Sequence, residues 1–143
     1  MRRHAAPLAL DHAQANSLTR TQILDVADRL FAAIEKGDIA ALTALWSDDV
    51  VVWRTGGGRE RDKPRALSVI EWFVGATASR RYEVLDREAF DTGFVQQHIL
   101  HATTRSGEGV ALRVCLVVKL GADGLIRRID EYLDPAELAP LLA

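Results

Sequence analysis

The shortness of the connections after residue 80 constrains this chain more than any other feature. Four β-rich runs occur there: Arg81–Phe90, Gly93–Arg105, Val110–Leu120 and Leu125–Leu133. Only Asp91-Thr92-Gly93, Ser106-Gly107-Glu108-Gly109 and Gly121-Ala122-Asp123-Gly124 separate them. A parallel crossover needs about a dozen residues or more, so these runs pair only as antiparallel hairpins. Upstream the period is helical. Thr19 and Gln22 form a capping box, followed by Ile23, Val26, Ala27, Leu30, Phe31 and Ile34 at three- and four-residue steps, which marks an amphipathic helix. Gly37 ends it, and Asp38 caps a second helix carrying Ile39, Leu42, Leu45 and Trp46. Val50-Val51-Val52-Trp53 reads as a strand broken by Gly56-Gly57-Gly58, because β-branched and aromatic residues suit a pleated surface. Asp62 caps a third helix with Pro64 in its first turn and Leu67, Ile70, Phe73 and Val74 on one face; Trp72 lies off that face. Asp134-Pro135 opens a last short helix bearing Leu138, Leu141 and Leu142. Helices first and a meander after them make an α+β domain, expected over residues 18–143, with residues 1–17 as an N-terminal arm.

The charge balance excludes some partners. Eighteen basic and twenty acidic residues among 143 leave a net charge of −2, so no strong electrostatic affinity for nucleic acid or an anionic membrane is expected. A single cysteine, Cys115, forbids an intrachain disulfide and a multi-cysteine zinc site. The apolar stretch after Arg2-Arg3 is too short and interrupted for a signal peptide, which makes a cytoplasmic protein the default expectation. No metal is expected either: His98 and His101 stand three apart on a strand and point to opposite faces. Gly56-Gly57-Gly58 lacks the Lys-Ser/Thr that a phosphate loop requires.

Three stretches carry a family resemblance. They are Leu30-Phe31-Ala32-Ala33-Ile34-Glu35-Lys36-Gly37-Asp38 with Leu45-Trp46-Ser47-Asp48-Asp49-Val50, then the glycine turn leading into the Asp62–Ala76 helix, then Asp123-Gly124-Leu125-Ile126-Arg127-Arg128-Ile129-Asp130-Glu131-Tyr132-Leu133-Asp134. Together they resemble the nuclear transport factor 2-like superfamily, and within it the SnoaL-like branch of polyketide cyclase, limonene epoxide hydrolase and ketosteroid isomerase relatives. The resemblance implies a cone in which a curved antiparallel sheet wraps the N-terminal helices around a pocket, and a homodimer formed through the outer sheet face. It does not choose a reaction, since the superfamily spans many activities.

Strand alternation narrows the cavity residues. A loop at Gly107-Glu108 would oppose Ser106 to Gly109, and so His98 to Val117, Leu100 to Cys115 and Ala102 to Arg113. A one-residue slip would bring His101 and Ile99 to that face instead. Limonene epoxide hydrolases carry a catalytic carboxylate before a Tyr in a similar strand, and the resemblance places Glu131, before Tyr132, in that role, with Ile129 and Leu133 facing the same way. The opposite phase would substitute Asp130 and Arg128. The expected cavity therefore holds His98, Arg113 and Glu131 among Phe31, Trp46, Trp53, Phe73, Leu100, Cys115, Val117, Ile129 and Leu133. Glu131 and His98 are candidate base and acid, and Arg113 a candidate to orient the ligand or stabilise negative charge. Each has a structural alternative: a Glu131–Arg113 ion pair, a histidine bonded within the sheet, or an arginine exposed at a dimer face. Cys115 reads as an apolar filler. The Arg-x-Asp of the epoxide hydrolases is replaced by His98-Ile99-Leu100, and the Tyr/Asp oxyanion hole of ketosteroid isomerases has no evident counterpart. These residues predict a small hydrophobic, oxygenated ligand and proton-transfer chemistry without a cofactor, or else a non-catalytic binding or structural dimer.

Overall fold

The computed structural model describes residues 17–142; the expected arm lies outside the described residues except for Ser17. Helix α1 (Arg20–Lys36) starts on the capping box: Thr19 Oγ1 accepts from Gln22 N at 3.1 Å, and Gln22 Oε1 accepts from Thr19 N at 2.8 Å. These two bonds satisfy donors that a helix start leaves open. Gly37 ends α1 in the left-handed conformation, with φ of 70°, and a Cβ there would come within 2.9 Å of Val74 Cγ1. Glycine thus serves both the turn and the close approach of the Val74 side chain. Asp38 caps α2 (Ile39–Leu45), β1 (Trp46–Arg54) follows, and Asp62 caps α3 (Lys63–Ala76).

The meander consists of β2 (Thr77–Phe90), β3 (Gly93–Thr104), β4 (Gly109–Leu120) and β5 (Ile126–Leu133). Asp134 then caps a 3-10 turn (Pro135–Leu138) that runs into α4 (Ala139–Leu142). The five strands stand in the order β1-β5-β4-β3-β2. Strands β2 to β5 pair antiparallel, and β1 joins the far edge parallel to β5. The short-connection rule governs only the meander; the long path from β1 to β5 leaves room for a parallel partner. Register shifts fall between Thr77 and Ser79 and between Val84 and Asp86 in β2, and opposite Lys119 and Leu120 of β4, where Arg127 is the extra residue in β5. Bulges of this kind bend strands and increase their twist, which curves the sheet around the helices.

Arg80 fastens the helices to the sheet. Its guanidinium donates to Ile34 O at 3.0 Å, Val74 O at 3.3 Å and Thr77 O at 3.1 Å. A cation is thus placed at the carbonyl ends of both α1 and α3. Two residues on, Tyr82 N donates to the Glu35 carboxylate at 2.8 Å, which seats Tyr82 under α1. The core between helices and sheet contains Ile23, Leu30, Phe31, Leu42, Trp46, Phe94, Val118 and Ile126.

One expected register fails, and the loop explains it. Thr104 N donates to Glu108 O at 2.8 Å, so the β3–β4 loop is the three residues Arg105-Ser106-Gly107, with Gly107 at φ of 93°. The Thr104 hydroxyl also accepts from Glu108 N at 2.9 Å. An odd-length loop in place of an even one turns β4 over relative to β3, because side chains alternate with a period of two. His98 therefore opposes Val114, Leu100 opposes Leu112, and Ala102 opposes Val110. Val110, Leu112, Val114, Leu116, Val118 and Leu120 are buried. Arg113, Cys115 and Val117 fall on the outer face, with Arg113 exposed and the other two half-buried, and so leave the expected cavity set. Trp53 leaves it too: it packs on the outer-face Tyr132 with ring centroids 5.2 Å apart, while its neighbours Val52 and Arg54 face inward.

Candidate functional site

Between the sheet's inner face and the helices lies a cavity of about 140 Å3. That is roughly what one aromatic ring occupies in an apolar protein cavity. Its walls are mostly apolar and come from α1 (Leu30, Phe31, Ile34), α3 (Ile70, Phe73) and the sheet (Leu100, Leu112, Leu116, Ile129, Leu133). Trp72 also lines it while 46% exposed, which marks a rim beside α3. Of the residues expected to line a cavity, Phe31, Trp46, Phe73, Leu100, Ile129 and Leu133 are placed there, together with His98 and Glu131.

The side chains with polar groups that border this apolar space in addition to His98 are Trp46, Arg54, Arg61, Trp72, Tyr82 and Glu131. Glu131 comes from β5, where it stands opposite Leu116 of β4 and next to Arg54 of β1. Its carboxylate makes no hydrogen bond or ion pair with any described residue. Burial raises its pKa, and the charges of Arg54 and Arg61 partly counter that rise. The expected Glu131–Arg113 pair does not exist, because Arg113 lies across the sheet.

His98 is 1% exposed, and its orientation is set by a relay along the strand. Arg87 Nε donates to Gln96 Oε1 at 2.6 Å, and Gln96 Nε2 lies 2.8 Å from His98 Nδ1. The first bond commits the Gln96 oxygen, so its amide N–H donates to Nδ1. The imidazole proton is thereby assigned to Nε2. Asp28 completes the chain by accepting from Arg87 at 2.6 Å. Burial first, and the Arg87 charge second, push the His98 pKa from the ordinary 6.5 down to about 4. At neutral pH His98 is thus an uncharged N–H donor rather than the proton shuttle its residue type suggested. Tyr82 and Phe31 pack against its ring edge-on, with centroids 4.8 and 5.5 Å away.

Tyr82 is the main partner that sequence reasoning missed. Burial raises its phenol pKa, and the nearby Glu131 and Glu35 charges raise it further, so the hydroxyl stays protonated. It stands opposite Leu100 on β3, within the alternation that put Leu100 in the cavity. That pairing was a usable signal, but the bulge between Val84 and Asp86 obscured the phase of β2. Arg54 and Arg61 were also missed. The glycine turn folds back with Gly57 N donating to Arg54 O at 3.0 Å, and it brings Arg61 into a two-way backbone pairing with Val52, at 3.0 and 2.8 Å. For β4, the signal was binary patterning. Arg113 and Lys119 share one alternation set, and the other set from Val110 to Leu120 is wholly apolar.

Among the described residues, no group of three or more His, Cys, Asp or Glu stands close enough to hold a metal ion, and no helix is long and apolar enough to cross a membrane.

Several solved structures share this fold at low sequence identity. PrhC from Penicillium brasilianum superposes with a TM-score of 0.77 and 16% identity, over 87% of this chain and 88% of that one. A limonene-epoxide-hydrolase-like epoxide hydrolase from M. tuberculosis gives a TM-score of 0.71 and 17% identity, over 86% and 90%. An NTF2-like protein of unknown function from Exiguobacterium sp. 255-15 gives 0.64 and 19%, over 76% and 98%. At such identities the likeness establishes the cone architecture and leaves the chemistry open. No curated protein matches the chain. The SnoaL-like domain family matches residues 27–129, and the chain belongs to that family.

Proposed function

We propose that the cavity binds a small, largely apolar, oxygenated molecule and moves a proton on it. The observation that carries this reading is Glu131, a carboxylate without a hydrogen-bond partner among the described residues, sharing an apolar cavity with two neutral donors, the Tyr82 hydroxyl and His98 Nε2–H. In the proposed step Glu131 takes a proton from a carbon next to a carbonyl. The electron pair moves onto the carbonyl oxygen, where Tyr82 and His98 donate to the developing oxyanion. The resulting carboxylic acid of Glu131 then returns the proton to another position. A raised carboxylate pKa suits a base that must also act as an acid. Epoxide opening of the two-carboxylate kind is disfavoured, because Glu131 is the only acidic side chain in the lining among the described residues. Ligand trapping tests the reading: native mass spectrometry of wild type and Glu131→Gln exposed to the same extract. Turnover predicts a compound retained by the variant and lost from wild type. Equal retention by both would make the protein a binder, and absence of any compound would indicate a structural domain.

Pairing of two chains through the outer sheet face is a further part of this reading. It is supported by the Trp53–Tyr132 stack, in which Tyr132 is 49% exposed, since apolar surface of that kind favours association. Light scattering on wild type and Tyr132→Glu tests it, with a fall from dimer to monomer expected.

A further inference from the structure

The cavity's polar groups have a pronounced bias. Trp46, Arg54, Arg61, Tyr82 and His98 all present donors, and Glu131 alone is an anionic acceptor. The charged lining residues are Arg54, Arg61 and Glu131, so two positive charges and one negative leave +1 in an otherwise apolar space. Two of the donors are buried without a partner: the Trp46 indole N–H, on a residue 2% exposed, and Arg54 Nε. Neither Arg54 nor Arg61 makes a side-chain hydrogen bond or ion pair with a described residue. A buried donor left unpaired costs about 1–3 kcal/mol, and more when it is charged. Retaining these two around one cavity implies that something else satisfies them. The group that does so must be an acceptor, and the surplus positive charge favours an anionic one.

We infer that the ligand is acceptor-rich and carries one acidic group, a carboxylate or an ionised enol or phenol. Arg54 and Arg61 bind that group, and the ring or short apolar body lies against Phe31, Phe73, Leu100 and Ile129. This names the substrate class for the proton-transfer site and rests on that site being the ligand cavity. It does not depend on Glu131 acting as a base. A bound anion beside the two guanidiniums would also withdraw their hold on Glu131 and make it more basic, linking recognition to the proposed chemistry.

Benzoate, benzamide and benzylamine are matched single-ring probes of negative, zero and positive charge. Their dissociation constants at pH 7 can be measured by ligand-observed NMR. Benzoate is expected to bind at least ~10-fold tighter than benzamide, as a charge-assisted contact implies, and benzylamine weakest. Arg54→Met and Arg61→Met should each abolish the preference for benzoate over benzamide while keeping benzamide binding, which also shows that the variants fold. Glu131→Gln should tighten benzoate binding, because it removes the only negative charge in the lining. Equal or tighter binding of benzamide or benzylamine, failure of benzoate to bind at millimolar concentration, or a preference unchanged in both arginine variants would overturn the inference. A preference for benzoate combined with equal compound retention by wild type and Glu131→Gln would instead overturn the proton-transfer reading alone.

Discussion

The two faces of the same sheet treat the same residue types in opposite ways. On the inner face His98 is buried, bonded to Gln96 and neutral. Three residues on, His101 lies on the outer face, partly exposed and 2.8 Å from the Glu83 carboxylate. On β5, Asp130 points outward and is held by Arg128 at 2.9 and 3.0 Å, and Arg128 in turn reaches Glu60 at 2.7 Å. Next to it, Glu131 points inward with no ion pair. The outer face neutralises these charges locally, each in an ion pair. The inner face leaves charges and donors unmatched in an apolar space, where they are costly unless a ligand completes them. Alternation along a strand is enough to separate the two regimes.

The largest contrast is expected on β5. For the compound trapped by the variant, Glu131→Gln should lower the turnover rate ~10²–10⁴-fold, the usual contribution of a general base, whereas Asp130→Asn, on the other face, should leave turnover near wild type. Comparable losses in both would mean that the faces do not differ in function.

A pH series of urea unfolding probes β3. A histidine with a folded pKa below its unfolded one binds fewer protons when folded. The contribution of His98 is therefore complete above pH 6.5 and is lost as the pH falls toward 4. This loss amounts to about 3 kcal/mol. Glu131, with its raised pKa, acts in the opposite sense and destabilises the fold as it ionises, so the series is best run in the Glu131→Gln background. There, His98→Gln should flatten the pH dependence between 6.5 and 4, and His101→Gln should leave it in place.

A smaller effect is expected for Gln96→Leu, which strands His98 Nδ1 and Arg87 Nε. Its cost should be about 1–3 kcal/mol in chemical denaturation, accompanied by a changed imidazole tautomer in nitrogen NMR. Smallest of all, Arg113→Ala should shift stability by less than ~0.5 kcal/mol and leave probe binding unchanged. A large loss of benzoate binding in that variant would return Arg113 to the cavity.

Much of the architecture was legible because its signals are local. Thr19, Asp38, Asp62 and Asp134 each cap the element that begins beside them, and the brief connections force the meander. The site was legible only in part. His98, Glu131 and six of the expected wall residues were found, but the polar neighbours Tyr82, Arg54 and Arg61 were not. The phase of β4 depends on whether the loop after Thr104 holds an even or odd number of residues. A bond donated by Glu108 N to the Thr104 hydroxyl accompanies the odd loop, and composition does not reveal it. Trp53 was misplaced because β1 is irregular between Trp46 and Val51, which breaks simple alternation. Tyr82, Arg54 and Arg61 reach the cavity through a bulged strand and a glycine turn, so no spacing rule connects them with Glu131.

By itself, then, the sequence determined the element order, the antiparallel meander and the caps, while the inward phase of β5 came from the family resemblance. The first three follow from contacts within a few residues or from the shortness of the connections. Only the tertiary structure decided which groups meet. It exchanged Arg113 for Arg54 and Arg61, bonded His98 to Gln96 and Gln96 to Arg87, and put Tyr82 in the same cavity lining as Glu131. These juxtapositions depend on register and on chain returns between distant segments. A shift of one residue reverses them, while the hydrophobic content that drives folding stays the same.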